Sequence, residues 1–116
     1  MKTVLMTGAT GALVSVTADA FAAAGWNVAS IKSPRSGSVS APGSYVADLS
    51  DESQVADAIS RMRDDNMKPS AAVLIAGGFE GGGIAETDHA SIQRMLDINF
   101  YSAWHVIRSL SQAYGS

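Results

Sequence analysis

Residues Thr3 to Met6 (TVLM) make a short apolar run that ends at a turn holding Gly8 and Gly11 and passes straight into an alanine-rich stretch, Ala12 to Ala24, closed by Gly25. Few folds accept such an opening. An apolar run bounded by glycine predicts a buried strand. Gly8 to Gly11 predict a turn. The alanines predict a helix, and Gly25 stands where a helix stop is expected. Strand, glycine turn and helix in quick succession are the entry to a parallel α/β sheet.

The rest of the chain repeats the theme. Asn27 to Ile31 reads as a second strand, and Ser33 to Gly43, rich in Ser, Pro and Gly, as a loop. Tyr45 to Ala47 is a brief third strand. Ser50 or Asp51 caps a helix in which Val55, Ala58, Ile59 and Met62 recur at helical spacing. Pro69 precedes a fourth strand, Ala71 to Ala76 (AAVLIA), apolar on both faces as a buried parallel strand should be. After the glycine-rich loop Gly77 to Gly83, one long helix starts at Thr87 or Asp88 and carries Ile92, Met95, Leu96, Ala103, Ile107 and Leu110. The expected fold is α/β: a Rossmann-like three-layer α/β/α sandwich with a parallel sheet of about four strands. The 116 residues suit a single domain, 1–116, and 47% apolar against 16% charged residues excludes a disordered chain.

Composition also limits the chemistry. A net charge of −3 argues against nucleic acid as a partner, because phosphate binding wants a basic face. The chain has no cysteine, and His89 and His105 lack metal-ligand spacing, so no metal site is expected. Met1-Lys2 and the mostly apolar run to Val16, followed by Ala18, Ala20 and Ala22, superficially resemble a secretory signal. Gly8 and Gly11 interrupt that run and Asp19 lies among the small residues, so the expectation is a cytoplasmic protein. No run is long and apolar enough to span a membrane, and no membrane partner is expected.

In open parallel sheets ligands bind beyond the carboxyl ends of the strands, where both glycine-rich turns fall. Thr7, Gly8, Thr10, Gly11, Ala12 and Leu13 join a strand to a helix N-terminus. Glycine there admits a close approach of backbone to a pyrophosphate, and the free N–H groups of the helix end favour an anion. The plainer reading is a tight βα turn with no ligand. At the end of the second strand an acid would bond the 2′-hydroxyl of NAD, but this chain has Lys32, Ser33 and Arg35. Cations there suit a 2′-phosphate, so NADP(H) is expected over NAD(H) if a dinucleotide binds. A basic solvent-facing loop is the competing reading of Lys32 and Arg35.

The glycine turn resembles that of the short-chain dehydrogenase/reductase family, which opens Thr-Gly-x-x-x-Gly-x-Gly. Thr7 and Gly8 match; Ala12 stands at the second glycine and Val14 at the third, while the variant Thr-Gly-x-x-Gly-x-x-Gly fits Thr7, Gly8 and Gly11 and again meets Val14. The last glycine lets helix and strand pack closely beside the cofactor, and valine adds bulk there. Asp48-Leu49 resembles the family's adenine-contacting Asp; alone, Asp48 would read as a helix-entry carboxylate. Ala76-Gly77-Gly78 resembles its Asn-Asn-Ala-Gly element, with Leu74 and Ile75 in place of the asparagines. Asn99 resembles the helix asparagine that supports a proton-relay water. The segments Gly25 to Ile31 and Gly77 to Gly82 are similar to the dihydropteridine-reductase-like branch.

The resemblance implies the N-terminal half of that fold, binding NAD(P)(H) without catalysis of its own. The family's chemistry uses a Ser and a Tyr-x-x-x-Lys. Tyr45 leads to Leu49, Tyr101 to His105, and Tyr114 has no residue four places on. Asn99 would then have a supporting role only, and Tyr101 and His105 read as ordinary helix residues. In the whole family sheet the fourth strand is internal. Here Ala71 to Ala76 would be an exposed apolar edge, so a homodimer or higher assembly is expected through that strand or the last helix. The alternative function is a non-catalytic self-associating scaffold that keeps the fold and has lost the cofactor.

Overall fold

Thr3–Thr7 forms strand β1, and all five of its residues are buried. The computed structural model describes residues 1–8, 12–34, 43–78 and 81–115. Within them β2 spans Asn27–Lys32, β3 Ser44–Val46 and β4 Pro69–Leu74. The four strands are parallel and lie in the order β3-β2-β1-β4. Four α-helices accompany them: α1 Ala12–Ala23, α2 Glu52–Asp64, α3 His89–Leu96 and α4 Ser102–Tyr114.

Side chains alternate across a strand, so β1 feeds two cores. Leu5 points to one face, where Ala29 and Ile31 of β2 meet Val55, Ala58, Ile59 and Met62 of α2 and Val106 of α4. Val4 and Met6 point to the other, against Val14 and the partly buried Ala18 and Phe21 of α1. The result is the three-layer Rossmann-like sandwich expected from the sequence.

Local chemistry sets the helix ends. The Asp51 carboxylate accepts from the N–H groups of Ser53 and Gln54 at the start of α2. Just beyond its end, Asn66 takes a left-handed conformation (φ 61°), which Asn tolerates better than most residues. Asp88 caps α3 by accepting from the Ser91 N–H at 2.8 Å and hydroxyl at 2.9 Å. Those two bonds hold its carboxyl below the usual carboxylate range.

Two expectations need correction. The fourth strand runs Pro69–Leu74, two residues ahead of Ala71 to Ala76. Its partner β1 ends at Thr7 opposite Leu74 and turns away at Gly8, so Ile75 and Ala76 lie past the ladder. The last helix is not one α-helix: a π-helical turn, Asp97–Tyr101, separates α3 from α4. One extra residue shifts the helical phase. Val106 faces the core, with Leu110 and Tyr114 packed against it, while Ile92, Leu96 and Ile107 are exposed. A periodic reading that runs unbroken from Ile92 to Ile107 cannot see that shift.

Two tyrosines tie the far ends of this face together. Tyr45 Oη donates to Asp65 Oδ2 at 2.6 Å, and Tyr114 Oη donates to the Met67 carbonyl at 2.5 Å. Arg108 and Glu52 add an ion pair between α4 and α2. Burial, then the bond to Asp65 and its charge, push the Tyr45 hydroxyl up to about 12. An unfolded tyrosine ionises near pH ~10. Between those values the folded chain keeps a proton that the unfolded chain loses, so folding is favoured less as pH rises. The Tyr45 contribution is therefore complete below about pH 10 and is lost on approaching pH 12. The Tyr114 hydroxyl, also raised by burial, acts in the same direction. Urea midpoints measured across this window should fall in the wild type and fall less in Tyr45→Phe; equal slopes would exclude Tyr45 as a source of the alkaline loss.

Candidate functional site

Beyond the carboxyl ends of the strands opens a cleft of about 850 Å³. Its floor is formed by Gly8, just past β1, and by Ala12, Leu13 and Val14 at the start of α1. One wall comes from the ends of β2 and β3, with Ser33, Pro34, Asp48, Leu49, Ser50 and Gln54. The opposite wall is the segment after β4, Ile75 to Gly77, backed by Arg94, Asp97, Ile98 and Ser102. Gly8, the Asp48-Leu49 pair and the Ala76-Gly77 pair, far apart in sequence, thus face one space.

Gly8 brings the backbone after β1 against the segment after β4. Its φ is +79°, and a Cβ built on it would lie 2.8 Å from Ala76 N and 2.9 Å from Ala76 Cα. Only glycine satisfies both the backbone angle and the contact. Thr7, 2% exposed, does not line the cleft. Its hydroxyl accepts from the Ala76 N–H at 3.4 Å, so it joins the two loops from beneath. Thr10, Gly11 and Arg35 lie outside the described residues. Lys32 ends β2 beside Ser33 and Pro34, which form the cleft edge in its place.

Asp48 is held on several sides. Its Oδ1 accepts from the Ser50 N–H at 3.0 Å and the Ser50 hydroxyl at 2.6 Å, and its N–H donates to Gln54 Oε1 at 2.9 Å. Asn99 sits in the π turn and grips Gly78. Its Oδ1 accepts from the Gly78 N–H at 3.1 Å, and its Nδ2 donates to the carbonyls of Gly78 at 2.9 Å and Met95 at 3.0 Å. Its Oδ1 would lie 2.7 Å from a Cβ at Gly77, so that glycine is needed for the grip. Asn99 and Gly78 do not line the large cleft; Asn99 lines a smaller hollow of about 370 Å³, with Met95 and Phe100. Tyr101 and His105 stack with ring centroids 6.1 Å apart. His105 Nδ1 finds no partner among the described residues.

Sequence reasoning missed Gln54, Arg94, Asp97, Ile98 and Ser102. Gln54 carried a readable signal, because Asp51-x-x-Gln54 is a helix-capping pattern. The helix residues carried none, since their face depends on the π turn. Among the described residues no three His, Cys, Asp or Glu side chains come together as a metal site would require. No helix among them is long and apolar enough to cross a membrane.

Comparison with known proteins agrees with this fold. A family model described as enoyl-(acyl carrier protein) reductase matches residues 8–115. A dihydropteridine reductase of Dictyostelium discoideum is 29% identical over 104 residues, covering 89% of this chain and 44% of the relative. Among solved structures, Thermoplasma acidophilum aldohexose dehydrogenase in ligand-free form superposes with a TM-score of 0.80 at 20% identity, over 97% of this chain and 44% of its own. A short-chain dehydrogenase/reductase from Vibrio parahaemolyticus gives a TM-score of 0.78 at 24% identity, over 96% and 56%. A short-chain dehydrogenase/reductase from Serratia marcescens gives 0.77 at 19% identity, over 97% and 52%. The chain spans about half the length of these relatives.

Proposed function

From the premise that this chain belongs to the short-chain dehydrogenase/reductase superfamily, through a family match over residues 8–115, we propose that its cleft binds a nicotinamide dinucleotide, NADP(H) in preference to NAD(H). The observation that carries the proposal is the convergence of Gly8, Asp48-Leu49 and Ala76-Gly77 on one cleft.

The residues present fit such a group. Gly8 and the first residues of α1, Ala12 and Leu13, line the cleft, and the N–H groups of a helix start suit a pyrophosphate. Asp48 and Leu49 offer a carboxylate and an apolar shelf for the adenine. Lys32, at the end of β2 next to the cleft-lining Ser33, and Arg35 three residues on in sequence are the cations a 2′-phosphate would call on. Ala76 and Gly77 receive the nicotinamide half, and Asn99 keeps that loop in place through Gly78. The bound dinucleotide would supply hydride chemistry. This chain's own residues bind and orient. No tyrosine among its 116 residues has a lysine four places on, so these residues alone carry no tuned proton donor and are inactive by themselves.

A second reading, a self-associating module in a cytoplasmic assembly, is favoured by one observation. Ile92, Leu96, Phe100, Trp104 and Ile107 are 43–59% exposed along α3, the π turn and α4, and β4 is an edge strand of the sheet. A homodimer would cover that stripe or that edge.

One experiment weighs the two readings: thermal melting with NADPH and with NADH at two protein concentrations. Ligand at a hundredfold excess over Kd stabilises a folded state by about 2.7 kcal/mol, or roughly 10 °C for a chain this size. The expected result is a rise with NADPH and a smaller one with NADH. A melting point that moves only with protein concentration, with no response to millimolar dinucleotide, would replace cofactor binding with self-assembly.

A further inference from the structure

We propose that Gln54 is a positioning residue for the adenine end of the cleft, acting through Asp48; this rests on the reading of the cleft as a dinucleotide site. Gln54 lies three residues after Asp51, the N-cap of α2. In the usual capping arrangement a glutamine there reaches back to the N–H of the cap residue itself. Here that N–H is already taken, because Asp51 N donates to the Asp48 carbonyl at 3.0 Å. The glutamine reaches farther instead. Its Oε1 accepts from the Asp48 N–H at 2.9 Å while its Nε2 donates to Asp51 Oδ2 at 3.3 Å.

Described neighbours thereby grip Asp48 at its N–H, its carbonyl and its carboxylate. Gln54 holds its N–H, Asp51 holds its carbonyl, and Ser50 holds its carboxylate. The first grip is not required to start the helix, since Asp51 Oδ1 already accepts from the N–H groups of both Ser53 and Gln54. Its effect is on the orientation of the Asp48 peptide, and so on where the carboxylate stands in the cleft. Gln54 and Asp48 line the same wall, so the restraint is applied beside the ligand.

The base itself reports that orientation. Adenine presents an exocyclic amine that donates to a carboxylate, whereas hypoxanthine presents a carbonyl that repels one. A well-placed acceptor should separate the two, because a site built to receive a hydrogen bond rejects the analogue lacking the donor. The test titrates the full chain with NADPH and with its hypoxanthine analogue, following tryptophan fluorescence. The wild type should prefer NADPH by about tenfold. Gln54→Met should weaken NADPH by about fivefold and bring the preference close to one. Gln54→Glu keeps an oxygen for the Asp48 N–H and should retain the preference.

Gln54 is exposed, so these variants should fold, and a melt without ligand checks each. Gln54→Ser, too short to reach Asp48, serves if the methionine variant melts too low. Failure of the wild type to bind either dinucleotide would remove the cofactor reading itself. Binding with a preference for adenine that survives in Gln54→Met or Gln54→Ser would remove only the role of Gln54. So would equal weakening of both ligands, which is what a residue that merely supports the helix would give, and so would a wild type that does not distinguish the bases.

Discussion

Gly8→Ala is expected to lower the melting temperature by roughly 10 °C and to abolish the response to NADPH. The first cost is conformational, since φ at Gly8 is +79° and a side chain in that region costs about 1–2 kcal/mol. The second is steric. The new methyl would stand 2.8 Å and 2.9 Å from two backbone atoms of Ala76, and no side chain can swing aside to relieve it. Ala76 follows a strand paired along β1 and is bonded to the Thr7 hydroxyl, so it moves only with its loop. Overpacking of this kind costs about 1–3 kcal/mol. The two together come to about 3 kcal/mol, and the relief of the clash opens the contact on which the cleft is built. Calorimetry with and without NADPH measures both effects. A variant that melts like the wild type would mean that the loops after β1 and β4 do not touch.

Val14→Gly should destabilise by a similar amount for the opposite reason. Val14 is 6% exposed and packs with Val4 and Met6 under α1. Removing a buried valine side chain forfeits roughly 1.5–3 kcal/mol, and glycine inside a helix costs up to about 1 kcal/mol more. The substitution restores the glycine of the family pattern, yet here it empties a filled core. Chemical denaturation should show the loss, while NADPH affinity of the folded protein should be no weaker than in the wild type. Unchanged stability would show that Val14 contributes nothing to the second core.

The same valine shows what the sequence discloses and what it does not. The strand runs, the glycine turns and the capping aspartates Asp51 and Asp88 are local signals, and they place the sheet, α1 and α2 within one or two residues. The parallel sheet also follows from the alternation of strands and helices, whereas the strand order β3-β2-β1-β4 comes from the structure. Val14 is legible as a departure from a pattern, but whether its bulk enters the cleft or the core depends on the packing of α1. It does both, lining one and filling the other. Gln54 is half legible: its capping spacing is local, while its partner Asp48 depends on how the Asp48–Asp51 turn closes. Asn99 can be placed on a helix but not against Gly78, because that contact spans twenty-one positions and needs the π turn.

The π turn gives the long terminal helix two phases on one axis. α4 is set by its packing on α2 and the sheet; α3 is set by the cleft, where Arg94, Asp97 and Ile98 stand. Loss of a single residue between Asp97 and Tyr101 would return the turn to an ordinary helix and rotate α3 by about 100° while α4 stayed in place. Asn99 would swing off Gly78, and the cleft would exchange one set of wall residues for another, with both cores untouched. The segment works as a vernier: in this chain the composition of one wall of the cleft is adjustable by length rather than by substitution, independently of the core that supports it.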